Sequence, residues 1–167
     1  FVHSVQGVRF LDQVEKGGRG LNLSLQVLDG ILSHDGESHL ERLAPDREKT
    51  FAQLQSEIDR KLADPEINLK PMTLEGCVVR LADTISYIGR DLEDAILLNL
   101  VRREDLPPLV QTRLGKTNGT IVYSLVADLI ENSFNKNYVC YSPEIGAALR
   151  QLKEFNYQRI YCLLYTS

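Results

Sequence analysis

The 167-residue chain is 43% hydrophobic and 25% charged, with 19 basic and 23 acidic side chains and a formal charge of −4. That length suits one domain with a sizeable core, and the average composition excludes a disordered, collagen-like or coiled-coil rod chain. The acidic balance gives no pull towards nucleic acid or an anionic membrane, and no run approaches the ~20 apolar residues that span a bilayer. Cys77, Cys140 and Cys162 stand far apart and outside any CxxC spacing. They point to reduced thiols of a cytoplasmic protein, with no disulfide framework and no zinc site.

From Phe1 to Lys16 the apolar residues Val2, Val5, Val8, Leu11 and Val14 recur at helical spacing, until Gly17, Gly18 and Gly20 interrupt them. Asn22 or Ser24 is placed to cap a second helix through Leu25, Leu28, Ile31 and Leu32, which Asp35-Gly36 stops. Residues 37–47 are polar and loop-like, with His39 solvated. The charges at Glu41-Arg42 and from Asp46 to Lys49 read as surface. A third helix is expected from about Asp46 to Ala63, amphipathic through Phe51, Leu54, Ile58 and Leu62 and ended by Pro65.

The longest periodic segment runs from Thr73 to about Arg103, with a core stripe of Leu74, Cys77, Val78, Leu81, Ile85, Ile88, Leu92 and Ile96. Asp105 and Pro107-Pro108 reset the chain into a short segment ending at Gly115. A helix follows from about Gly119 to Asn132. Ser142-Pro143-Glu144 then supplies a cap, an N1 proline and a first-turn acid for a last helix reaching about Tyr157. With no convincing strand, the fold class is all-α.

Chemistry concentrates on the long helix. Asp83, Tyr87 and Asp91 are spaced i, i+4, i+8 and share one face, with Arg90 and Asp94 as a neighbouring i, i+4 pair. Two readings fit that spacing: a solvated polar face opposite the core, or a carboxylate, phenol and carboxylate lined up to take a metal and a sugar. Gly89 costs the helix roughly 1 kcal/mol against alanine and suggests the close approach of something at that point.

The stretch from Leu81 to Asp94 resembles the last motif of HD-domain phosphohydrolases, in the branch of the deoxyguanosine triphosphate triphosphohydrolases. Three other stretches agree in order. Phe1-Val2-His3-Ser4-Val5-Gln6-Gly7-Val8-Arg9 is similar to the branch's Phe-x-His-Asn-x-Gln-x-x-Arg pattern. Gly20-Leu21-Asn22-Leu23-Ser24 with Gly30-Ile31-Leu32-Ser33-His34 resembles its Gly-Leu-Asn-Leu…Gly-Ile-x-x-His run, and Ser142-Pro143-Glu144 with Leu152-Lys153-Glu154-Phe155 its C-terminal helix.

The resemblance implies an HD-domain-like helical bundle, incomplete at its N-terminus. Residues 1–161 would be the C-terminal part of a dNTP triphosphohydrolase domain. Residues 162–167 depart from the family, resemble translated adaptor sequence, and are expected to be a non-native tail. One divalent cation, Mn²⁺, Mg²⁺ or Fe²⁺, would be held by a His, a His-Asp pair and a final Asp, and Asp83 matches that last ligand. Tyr87 and Asp91 match positions that contact the deoxyribose and its 3′-hydroxyl. His3 matches a histidine near the triphosphate, with a catalytic role.

His34-Asp35 spells a second His-Asp, but it falls at the family's helix end, downstream of where the metal-binding pair belongs. It is the weaker metal candidate, and a histidine there also suits the C-terminal dipole of a helix. The upstream ligands would then lie outside this chain, leaving it inactive by itself. Arg9, Lys70, Arg90, Arg102 and Arg103 are the candidates for the triphosphate. The implied partners are a deoxynucleoside triphosphate and further copies of the full-length protein. Another HD phosphohydrolase and a catalytically silent helical module remain the alternatives.

Overall fold

Val2, Val5 and Val8 all turn inward, so the first helix needs only two turns to bury its apolar stripe. In the computed structural model, which describes residues 2–36 and 42–162, this helix α1 spans His3–Arg9 and continues as a π-helical turn over Phe10–Val14. A short α2, Glu15–Gly18, contains Lys16 at φ 52° and Gly17 at φ 68°. Those left-handed residues turn the chain back on itself before α3, Leu25–Leu32.

The remaining helices are α4 (Phe51–Ala63), α5 (Leu74–Leu97), α6 (Pro108–Arg113), α7 (Asn118–Ser133) and α8 (Pro143–Asn156). A 3-10 turn covers Arg103–Asp105, and a π-helical turn, Tyr157–Tyr161, follows α8. The described residues contain no β-strand, so the fold is all-α as expected. None of these helices is long and apolar enough to cross a membrane.

Two compact units divide the chain. The first takes the described residues of Phe1–Glu37 and Leu43–Leu81, the second those of Ser38–Arg42 and Ala82–Ser167. In the first, α1 packs on α3 and both meet α4. Their core is Val2, Val5, Val8, Leu28, Leu32, Leu54, Ile58 and Leu69. In the second, α8 packs against α6 and α7. Val110 of α6, Ile121 and Leu125 of α7, and Leu149 and Leu152 of α8 are fully buried there.

Several boundaries and faces differ from expectation. The third helix starts at Phe51, not near Asp46, because Thr50 and Gln53 close a reciprocal capping box. The long helix stops at Leu97, not Arg103. There Asn99 turns to φ 56°, and the amides of Leu98 and Leu100 bond back to Asp94 and Ala95. Val78 is exposed, while Arg80 and Thr84 join the buried stripe. Phe51 and Leu62 are also exposed, and Lys61 is buried on their helix.

Lys49 is the largest departure, a buried cation where a surface charge is expected. Its ammonium bonds Asp29 at 2.7 Å, Glu57 at 2.8 Å and the Lys70 carbonyl at 2.5 Å. The second Asp29 oxygen accepts the Met72 amide at 2.6 Å. The cluster ties α3 to the segments that lead into α4 and α5. Residues 37–41 of the polar loop, with His39 and Glu41, and the tail beyond Cys162 lie outside the described residues.

Candidate functional site

In the first unit, the dipeptide His3-Ser4 of α1 faces the dipeptide His34-Asp35 that follows α3. His3 Nε2 lies 3.0 Å from His34 Nε2, and Ser4 Oγ donates to Asp35 Oδ2 at 3.1 Å. The other Asp35 oxygen pairs with Lys61 of α4 at 3.2 Å. His34 Nδ1 reaches the Ile31 carbonyl at 2.7 Å, closing the end of α3. The His34-Asp35 donors are thus turned to His3, Ser4 and Lys61.

Arg80 holds this corner together from the buried side. Its Nε and Nη2 donate to the Ser33 carbonyl at 2.8 and 2.5 Å, Nη1 to Asn68 Oδ1 at 2.7 Å, and Nη2 also to the Leu69 carbonyl. Burial lowers the proton affinity of the guanidinium. A Cβ at Gly36 would fall 2.9 Å from the Arg80 guanidinium carbon, so only glycine fits there without a shift.

The second unit carries the other sequence candidates on α5. Asp83 and Tyr87 are exposed and Asp91 is half-buried. The Asp83 carboxylate has no hydrogen bond or ion pair among the described residues; only its backbone carbonyl is used, by Ser86 Oγ at 2.7 Å. The Asp91 carboxylate accepts a hydrogen bond from the phenol of Tyr161. Burial, reinforced by that bond and by the Asp91 charge, pushes the Tyr161 phenol well above its ordinary range. Asn156, fully buried, donates to the Ile88 carbonyl at 3.0 Å and so fixes the turn bearing Tyr161 onto α5.

Gly89 has the neighbour its position suggests. A Cβ there would come within 2.5 Å of Asn118 Oδ1 and 3.2 Å of Asn118 Cα, at the start of α7. Glu93, one turn on, accepts the Asn118 amide at 3.0 Å and a two-pronged bond from Arg103 at 2.8 and 2.5 Å. Arg103, first of these causes, and the Asn118 amide hold the Glu93 carboxyl below the usual range.

The cationic candidates separate accordingly. Arg103 is committed to Glu93 and the Lys116 carbonyl, Arg102 to Asp105, and Arg90 lies 3.8 Å from Asp94 with both exposed. The side chains of Arg9 and Lys70 have no hydrogen bond or ion pair among the described residues. Arg9 lines a cleft of about 590 Å³ with Asp12, Gln13 and Gln55 over Leu28 and Ile58.

Among the described residues no group of three or more His, Cys, Asp or Glu side chains is arranged to hold a metal ion. Sequence reading missed Arg80, Asn156 and Tyr161 as organisers, because their partners lie 11 to 70 residues away.

Comparison with curated proteins settles the ancestry. The chain is 34% identical to a deoxyguanosinetriphosphate triphosphohydrolase-like protein of Clostridium perfringens over 166 residues, 96% of this chain and 41% of the relative. The chain belongs to the deoxyguanosine triphosphate triphosphohydrolase-like family. Proteins of the same description from Caldanaerobacter subterraneus and Clostridium tetani are 34% and 32% identical, each over 96% of the chain. No family model matches the sequence. The chain spans about two-fifths of the length of the curated relatives it matches.

Proposed function

We propose that the chain is part of a dNTP triphosphohydrolase of the HD-domain type, which converts a deoxynucleoside triphosphate and water into a deoxynucleoside and tripolyphosphate. Water attacks the α-phosphorus, the bond from phosphorus to the 5′-oxygen breaks, and the 5′-oxygen takes up a proton. In this reading the second unit recognises the sugar. Tyr87 lies against the deoxyribose, and Asp91, held by Tyr161, accepts a hydrogen bond from the 3′-hydroxyl.

His3 acts as the acid, its protonated imidazole giving a proton to the leaving 5′-oxygen. A positioned acid of this kind contributes roughly 10²–10⁴ in rate. A divalent cation enters the proposal only through Asp83, which offers one carboxylate to it. The full-length protein would work as an oligomer.

The observation that carries the reading is the row Asp83, Tyr87 and Asp91 on α5 in a chain whose curated relatives are named for dGTP triphosphohydrolysis. Product analysis of the full-length protein with each dNTP, plus Mn²⁺ or Mg²⁺, tests it: tripolyphosphate and deoxynucleoside should appear together, and the 167-residue chain alone should give neither. Stepwise release of monophosphate would overturn the chemistry. Turnover of ribonucleotides should rise relative to deoxynucleotides in Tyr87→Ala, whereas Asp91→Asn, which weakens a bond to a hydroxyl that both sugars carry, should lower turnover of both. Equal, unaltered use of both sugars would place the protein with other HD phosphohydrolases.

A further inference from the structure

The rings of His3 and His34 meet edge to face, their planes 78° apart and their centroids separated by 4.9 Å, with Nε2 facing Nε2 at 3.0 Å. The protons of this pair can be assigned from its partners. A carbonyl oxygen only accepts, so the 2.7 Å contact between His34 Nδ1 and the Ile31 carbonyl requires the proton to sit on Nδ1. A neutral imidazole carries one N–H, which leaves His34 Nε2 as a bare lone pair. Opposite that lone pair, His3 Nε2 must be the donor, because two lone pairs at 3.0 Å would repel.

The order is therefore fixed: His3 Nε2–H donates to His34 Nε2, and His34 Nδ1–H donates to the Ile31 carbonyl. His3 Nδ1 is the one ring nitrogen of the pair with no hydrogen bond among the described residues. The neighbouring residues repeat the link, since Ser4, 1% exposed, donates to Asp35, which Lys61 holds in turn. Both histidines consequently project from backbone that is anchored one residue away.

We propose that His34 is a positioning residue for His3: it accepts from Nε2, locks the ring in one orientation and presents Nδ1 as the working nitrogen. This rests on the reading of His3 as the proton donor. The arrangement serves His3 whether Nδ1 is bare or protonated, because neither state asks His34 to give up its bond to Ile31.

Ring-nitrogen NMR of the ¹⁵N-labelled chain, at a pH where both rings are neutral, tests the order directly. His34 should show a protonated Nδ1 and a bare Nε2, and His3 the reverse. In His34→Phe the His3 ring should lose its single set of shifts, whereas His34→Gln, which retains an acceptor oxygen, should preserve it. A proton on His34 Nε2, or a His3 ring indifferent to His34→Phe, overturns the proposal. Should His34→Phe fail to fold, the wild-type shifts and His34→Gln still decide.

Kinetics of the full-length protein supply the second arm. His34→Phe should lower kcat on the order of tenfold with KM unchanged, a fraction of what a general acid contributes. It should cost nothing further in a His3→Ala background. A loss as large in that background as in the wild type overturns the proposal. If the wild type releases no tripolyphosphate, the hydrolase reading falls by itself, and the ring-nitrogen assignment decides the positioning role alone.

Discussion

Tyr161 and Asp91 stand 70 residues apart and share a phenol-to-carboxylate hydrogen bond that joins the turn after α8 to the middle of α5. Asp91 is the residue proposed to read the 3′-hydroxyl, and the bond orients its carboxylate with a side chain from the other end of the unit. Tyr161→Phe should cost about 1–2 kcal/mol in urea denaturation near neutral pH. The folded phenol binds its proton more tightly than the unfolded one. Its contribution is therefore complete below the ordinary tyrosine value of ~10 and is lost as pH rises beyond it. The gap between wild type and Tyr161→Phe should narrow above that pH; a constant gap would mean that the phenol is not bound in this way.

Lys49 and Asp29 form an ion pair with side chains only 3% and 1% exposed. Removing one member leaves the other charged and buried, so Lys49→Met should lose about 3–5 kcal/mol of stability. Adding Asp29→Asn to that variant should recover part of the loss, since the stranded charge is gone. A double-mutant cycle by chemical denaturation measures both numbers, and strict additivity would contradict the direct pairing.

Gly89 sits inside α5, where alanine would raise helix propensity by roughly 1 kcal/mol. The close approach of Asn118 reverses that gain, because Asn118 Cα is backbone and cannot swing away. Gly89→Ala should be net destabilising by about 1–3 kcal/mol. A raised melting temperature would show that α7 does not lie this near to α5.

Cys77 is fully buried, and burial pushes its thiol from 9.0 up to about 11. The folded protein holds this proton more tightly than the unfolded one, so the contribution is full below about pH 9 and falls away towards about pH 11. At a pH of about 8 a thiol-alkylating reagent should label the half-buried Cys140 and Cys162 first, and Cys77 only after denaturation. Peptide mass mapping of the labelled native protein checks the order, and early labelling of Cys77 would contradict its burial.

Local pattern was enough for much of the fold. Ser142 caps α8 with its hydroxyl on the Ile145 amide, and Pro143 opens the helix, as the three-residue signal implies. The glycines after α1 and the periodicity of α3 and α7 also act within a few residues, so they are readable without a partner. Asp83, Tyr87 and Asp91 share a face because helix geometry alone puts them there.

The sequence could not say which charges are inside. Lys49 sits in a polar run that resembles its neighbours Arg47 and Glu48, both exposed, and only the approach of Asp29 and Glu57 makes its burial favourable. Arg80 likewise falls on the buried stripe of α5 because Ser33, Asn68 and Leu69 converge on its guanidinium. The start of α4 differs from expectation because Pro45-Asp46 and Thr50 are both acceptable entries, and the Gln53 side chain completes only the second.

Spacing along the chain sets where the main helices fall and the order of the family motifs, though not where α4 begins or α5 ends. Tertiary structure alone decided that His3 meets His34 and that Tyr161 meets Asp91. Those pairings join residues 31 and 70 positions apart. Their existence depends on how buried apolar faces lock neighbouring helices in register, and no local pattern encodes that.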